Sequence, residues 1–194
     1  MKYQPFQLYH IYNQGNNRQK IFFSEENYRY FKKKIKKYIC SNAELLAYCL
    51  MPNHFHLLIY TKSSSIQPYK SAGMQSLSFA ISQLLSSYTK AINLQENRTG
   101  SLFRSKTKAN DGWDNDPDYT SIEYFDGERV TFIDNWFAQN VFRYIHENPV
   151  KAGLVPVKEH WRYSSVSEYL EVSQEPICNI KLGRELIGLS AKAG

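Results

Sequence analysis

Apolar residues along this chain recur with two periods, and turn-forming residues stand wherever one period gives way to the other. Gln7–Asn13 reads as a first strand, closed by the turn-prone Gln14-Gly15-Asn16-Asn17. Ser24 then stands as an N-cap with Glu25 and Glu26 in the first helical turn. Behind it, Tyr28, Phe31, Ile35, Tyr38 and Ile39 recur at helical spacing. Ala43–Leu50 and His54–Thr61 read as two strands joined by Met51-Pro52-Asn53, and Ser63–Ala72 as a polar loop. The spacing predicts a second helix over Gln75–Leu94, with Leu77, Ile81, Leu84, Leu85 and Tyr88 on one side. Leu102–Lys108 alternates apolar or small groups with Arg104, Lys106 and Lys108, which predicts a strand with one basic face.

The remainder is less regular. Asn110–Gly127 is acidic and turn-forming and reads as an inserted surface loop, with Arg129–Ile133 a short strand returning from it. Asp134 is placed to cap a third helix that runs to about Glu147 and is terminated by Pro149 and Gly153. Trp161–Leu170 and Gly183–Leu189 read as an added helical tail. The order strand, helix, strand, strand, helix, strand, helix predicts an α+β fold. It is the ferredoxin-like split βαβ, an antiparallel sheet with helices on one face, extended by the C-terminal helical tail. The expected division is a catalytic domain over 1–155, with the acidic insertion at about 110–127, and a helical extension over 156–194.

Composition narrows the class. At 194 residues, 42% of them hydrophobic, the chain suits one substantial globular domain with an appendage. No apolar run approaches the roughly 20 residues that span a bilayer, and Met1–Phe6 lacks a long apolar stretch of the exporting kind. A cytoplasmic location is expected. Cys40, Cys49 and Cys178 form no CxxC pair, which argues against a zinc–thiolate site. The net charge of +6 points to a polyanionic partner. Between Arg18 and Lys37 stand eight Lys or Arg residues against only Glu25 and Glu26, a pattern shared by solvated helix faces and nucleic-acid binders. The 15 tyrosines and 11 phenylalanines tilt it towards the second, because unpaired bases stack on such rings beside cations.

The candidate chemistry lies in two places. His54-Phe55-His56 leads the apolar run Leu57-Leu58-Ile59, and strand alternation puts both imidazoles on one face, about 6.7 Å apart in rise. Two such imidazoles can share a divalent cation. Downstream, Tyr144 and Asn148 are four apart, so a helix turns a phenol and an amide to one side, the amide available as a third ligand. Asn148 precedes Pro149 and is biased out of helical geometry, which leaves Glu147 and His146 as alternative ligand or base. Tyr88 is a competing nucleophile, whereas His10 and His160 read as structural or surface residues. Arg18, Lys20, Arg98, Arg104, Lys106 and Arg143 are candidate phosphate contacts.

Taken together, Leu50-Met-Pro-Asn-His-Phe-His-Leu-Leu-Ile59 and Tyr144-Ile-His-Glu-Asn-Pro-Val-Lys-Ala-Gly-Leu-Val155 resemble the single-tyrosine HUH transposases, above all the REP-associated tyrosine transposases. Gly100-Ser-Leu-Phe-Arg104, Trp161 and Ser164-Ser165 add to the resemblance, which spans roughly Leu8–Tyr169, although Asn110–Gly127 is longer than the family pattern. The resemblance implies a Mg²⁺ or Mn²⁺ site held by His54 and His56, with Asn148 as third ligand. It implies that Tyr144 attacks a DNA phosphate, keeps the 5′ end as a phosphotyrosine and leaves a free 3′-hydroxyl. The implied partner is single-stranded DNA with hairpins, bound by a monomer or by a homodimer that shares its sites. Two other readings stand beside this one: a hairpin DNA or RNA-binding module without chemistry, and a metal-dependent hydrolase that uses water. Neutral imidazoles are required for metal binding, so activity is expected to fall as pH drops through the imidazole range.

Overall fold

A computed structural model describes residues 2–70, 73–111, 122–125, 128–131 and 135–189. Its strands are β1 (Leu8–Gln14), β2 (Ala43–Met51), β3 (His54–Thr61), β4 (Lys108–Asp111), β5 (Ile122–Phe125) and β6 (Glu128–Thr131). Its helices are α1 (Glu25–Lys34), α2 (Ser63–Ile66), α3 (Ser76–Gln95), α4 (Asn135–Lys151), α5 (Val166–Tyr169) and α6 (Ile180–Ile187). Four strands form one antiparallel sheet in the order β2-β3-β1-β4, the arrangement expected of a split βαβ fold. β5 and β6 make a separate hairpin.

Each face of the sheet carries its own core. On one, Ile11, Leu45, Tyr48, Leu50, Phe55, Leu57 and Ile59 meet Tyr28, Phe31 and Ile35 of the first helix and Leu77, Ile81, Leu84 and Tyr88 of α3. On the other, Leu8, Leu46, Ala47, Cys49, Met51 and Leu58 meet Ala138 and Ile145 of α4 and Ile187 of α6. The expectation of helices on one face therefore holds for α1 and α3, while α4 and α6 cover part of the opposite face. A β-bulge between Leu45 and Ala47 serves this arrangement. It turns both Leu46 and Ala47 towards α4, and the freed Leu46 carbonyl accepts the Tyr169 hydroxyl at 2.8 Å.

Several boundaries depart from the sequence pattern. Residues 102–107 follow the end of β1 irregularly, through a bridge between Phe103 and Gly15, and the regular strand begins at Lys108. The polar loop after β3 contains the single helical turn α2. Helix α4 does not stop before Pro149 but runs through it to Lys151. A proline in the last turn removes one donor, and the later bonds close normally, Ala152 N–H to Asn148 O at 2.9 Å and Gly153 N–H to Val150 O at 2.9 Å. Gly153, at φ 69°, then ends the helix in the left-handed conformation that favours glycine. The expected cap Asp134 and most of the acidic stretch lie outside the described residues.

The C-terminal segment is built into the sheet rather than appended to it. Tyr163 O accepts from Leu50 N–H, and Ser165 N–H donates to Tyr48 O, both at 2.9 Å, which extends the β2 edge. The buried Glu168 carboxylate accepts from the Tyr48 hydroxyl at 2.9 Å and from Ile177 N–H and Cys178 N–H at 2.8 Å, with Lys32 Nζ at 3.2 Å. One carboxylate thus joins α1, β2 and the tail. Removing it strands four donors, so Glu168→Ala should lower the unfolding free energy in urea by about 3–5 kcal/mol, with Glu168→Gln in between. A loss below about 1 kcal/mol would contradict this role.

Candidate active site

The hairpin between β2 and β3 positions the two strand histidines. Pro52 and Asn53 form its two-residue turn, and their carbonyls are held from outside. Ile21 N–H donates to Pro52 O at 2.8 Å, and Gly15 N–H donates to Asn53 O at 2.8 Å. The Asn53 amide is oriented by its Nδ2, which donates to Arg18 O at 3.2 Å, so its Oδ1 faces His54 Nδ1 at 2.6 Å and can only accept. His54 therefore carries its proton on Nδ1 and leaves the Nε2 lone pair free. At Gly15, a Cβ would collide with the Gln19 carbonyl, so only glycine lets this loop close against the turn.

His56 lies one pleat further on, and Phe55 between them points into the opposite core. The His54 and His56 rings are 5.0 Å apart between centroids and nearly perpendicular. Helix α4 crosses above them. Its Tyr144 ring meets the His56 ring edge-on at 5.3 Å and is 44% exposed, so the phenol borders both the imidazoles and solvent. One turn on, the Asn148 amide comes within 3.4 Å of His56 Nε2. Despite Pro149, the helical i,i+4 relation between Tyr144 and Asn148 survives, and both groups meet the imidazoles within one chain.

The donor set is two imidazole nitrogens and one amide that can turn its oxygen inward. That set fits a borderline-to-hard divalent cation better than a thiolate-loving one. Among the described residues no three His, Cys, Asp or Glu side chains converge on a point.

Three competing candidates are corrected: His146, Glu147 and Tyr88. His146 cannot stand in as ligand or base, because it is buried on the other side of α4 with Nε2 2.7 Å from Ser165 Oγ. Glu147 is turned aside into an ion pair with Lys151 at 3.1 Å. His10, read as structural or surface, is buried and reaches the site: it stacks on His56 at 5.0 Å, and its Nε2 lies 2.9 Å from His56 Nδ1. The only sequence sign of this is that His10 shares a strand face with Leu8 and Tyr12; which histidine it meets depends on pairing 46 residues away. Lys151, seven residues after Tyr144, also escapes a reading of spacing alone, and its ammonium sits 5.9 Å from the Tyr144 ring centroid. The competing nucleophile Tyr88 is fully buried and donates to Ile21 O at 2.7 Å.

The basic candidates divide by position. Arg18 and Arg104 adjoin the His54 end of the sheet through their backbones, with exposed side chains: Arg18 O accepts from Asn53, and Arg104 N–H donates to Gln14 O, opposite His54. Arg143 is exposed beside Tyr144 and bonds Asn140 at 2.6 Å. Lys20 and Lys106 are exposed, and Arg98 is half-buried in the turn after α3. A groove of about 670 Å³ runs between α3 and residues 101–107, lined by Ser78, Ser82, Lys90 and Arg104 among others. It holds none of the imidazoles, Tyr144 or Asn148 and lies on the α3 side.

A family model described as "Transposase IS200 like" matches residues 6–108, over half of the chain. The chain belongs to the IS200-like transposase family. The matched part holds His54 and His56; Tyr144 and Asn148 lie beyond it, and the fold brings them to the same place. A comparison with curated proteins returns no match. Among solved structures, the chain is similar to a REP-associated tyrosine transposase bound to a REP hairpin, at TM-score 0.60 and 16% identity over 91% of this chain and 86% of that one. At that identity the likeness concerns the fold, which it shares along nearly its whole length. Among the described residues no helix is long and apolar enough to cross a membrane.

Burial keeps the site histidines neutral. It lowers His10 to about 4, and lowers His56 to about 2 with added repulsion from His10 and His54. His54 is lowered by burial, and His146 is lowered to about 3, chiefly by burial. The same shifts affect stability. Because these folded values lie below the unfolded one, the unfolded chain binds more protons at acid pH. Stability is then full above about 6.5 and declines as pH falls towards the folded values. Replacing His146 by Gln should remove up to about 1.4 kcal/mol per pH unit of that decline between pH 6 and 4, read from urea midpoints. Parallel curves for variant and wild type would show that His146 is not buried neutral.

Proposed function

We propose that this transposase-family chain is a metal-dependent single-stranded DNA endonuclease and strand transferase that recognises DNA hairpins and forms a 5′-phosphotyrosine intermediate. The observation that carries this reading is the meeting of the Tyr144 phenol, two imidazoles and an amide at one place, with the phenol open to solvent. Bound between His54, His56 and Asn148, Mg²⁺ or Mn²⁺ would supply charge to polarise the scissile phosphate. Tyr144 Oη would attack phosphorus as the P–O3′ bond breaks; the phenol loses its proton and the departing 3′-oxygen gains one. The phosphodiester is exchanged for a phosphotyrosyl ester of similar energy, so a second 3′-hydroxyl can reverse the step without ATP.

The DNA would lie over Tyr144, its backbone met by Arg18, Lys20, Arg98, Arg104, Lys106 and Arg143, of which Arg18, Arg104 and Arg143 flank the reacting groups. Hairpin recognition is carried over from the bound state of the structural relative.

The reading is tested with a labelled single-stranded hairpin and Mn²⁺. Wild type should yield a covalent protein–DNA adduct and a free 3′ end; Tyr144→Phe should bind the hairpin equally well and yield neither. Nicking without adduct, unharmed in Tyr144→Phe, would favour hydrolysis by water. Binding without nicking under any divalent metal would leave a binding module.

A second measurement concerns charge. Each phosphate deprived of its cationic side chain should flatten the salt dependence of binding, so Arg104→Ala should reduce the slope of log K against log salt by about 0.7 on single-stranded DNA. An unchanged slope would remove Arg104 from the interface.

A further inference from the structure

The two strand histidines are prepared for a cation by different means. His54 has its tautomer set by an amide that can only accept, because Asn53 Nδ2 is committed to Arg18 O and Oδ1 is left for His54 Nδ1. His56 has no such amide. Its Nδ1 instead faces Nε2 of His10 at 2.9 Å. That bond has two possible directions. If His10 donates, His56 carries its proton on Nε2, pointing at Asn148, and offers no lone pair to a metal. If His10 accepts, His56 is protonated on Nδ1, and its Nε2 is bare beside Asn148 at 3.4 Å.

We infer that His10 is a positioning residue: its Nε2 accepts the Nδ1–H of His56 and so holds the His56 Nε2 lone pair towards the space shared with His54 and Asn148. The geometry around His10 favours this fixed role. It is 7% exposed, opposite Leu58 in the sheet, with the Tyr12 ring at 4.9 Å on one side and Tyr144 at 5.9 Å on another. The ring cannot swing away without disturbing strand packing. Ligating imidazoles in metal sites commonly donate their second N–H to a partner, which fixes ring orientation as well as tautomer. A neutral imidazole in that position, instead of a carboxylate, orients His56 without adding negative charge to a site meant to hold a phosphate.

The inference rests on the metal-binding reading of His54 and His56, and its test needs no DNA. In metal-free, ¹⁵N-labelled full-length protein, long-range ¹H–¹⁵N spectra should show His56 protonated on Nδ1 with an unprotonated Nε2. In His10→Leu the two tautomers should mix, and Mn²⁺ affinity, measured by calorimetry, should fall by about 10–100-fold. His10→Gln, whose Oε1 can accept the same bond, should recover most of the affinity. Wild-type His56 protonated on Nε2, or a folded His10→Leu that binds Mn²⁺ as wild type does, would overturn the assignment. Should His10→Leu not fold, the wild-type tautomer and the His10→Gln affinity still decide. Tyr144→Phe should leave tautomer and Mn²⁺ affinity untouched, so loss of nicking chemistry and failure of this inference are read separately.

Discussion

Strand β3 has a two-residue period, and both of its faces are committed. Phe55, Leu57 and Ile59 fill the core against α1 and α3, while His54, His56 and Leu58 face α4. A slip of one residue would drive two imidazoles into an aromatic core that includes Phe31 and Tyr88, and would turn Phe55 out beneath Tyr144. The register is held from both sides, by β1 and β2, and from the end, where the Pro52 and Asn53 carbonyls are bonded to Ile21 and Gly15. Everything assigned to the site follows from that register. The imidazoles are presented by a strand that cannot move without unpacking the larger core.

The opposite partner, α4, is placed by a different set of contacts. Ala138 and Ile145 pack on the sheet, and His146 anchors the inner side of the helix to Ser165. Ser165 itself belongs to the segment that extends β2, and the neighbouring Glu168 ties that segment to α1 and Tyr48. The helix that carries the phenol is thus referenced to the same sheet as the imidazoles through its buried face. Its exposed face is left to Arg143, Tyr144 and Lys151. Precision on one side and access on the other is the division the proposed phosphate transfer requires.

Much of this is legible in the chain. The succession of strands and helices along the chain, the histidine pair and its alternation with Phe55, and the i,i+4 pairing of Tyr144 with Asn148 all follow from local periodicity. What periodicity cannot carry is pairing between distant strands, and His10 stays hidden for that reason: its importance depends on lying beside β3. Pro149 misleads in another way, because the rule that a proline ends a helix weakens in a last turn, where few later donors depend on it. The second covered face has no local signature either. The bulge at Leu45/Ala47 and the docking of residues 161–165 on β2 are tertiary arrangements with no spacing signal of their own.

On the proposed reading, strand and helix together build one cation site beside one phenol, and anomalous scattering from a crystal soaked in Mn²⁺ tests this most directly. The expected result is a single strong peak within coordination distance of His54 Nε2, His56 Nε2 and the Asn148 side chain, with the Tyr144 ring alongside. A crystal whose manganese sits elsewhere, or whose imidazoles remain closed on Asn148 with no ion between them at saturating metal, would contradict it.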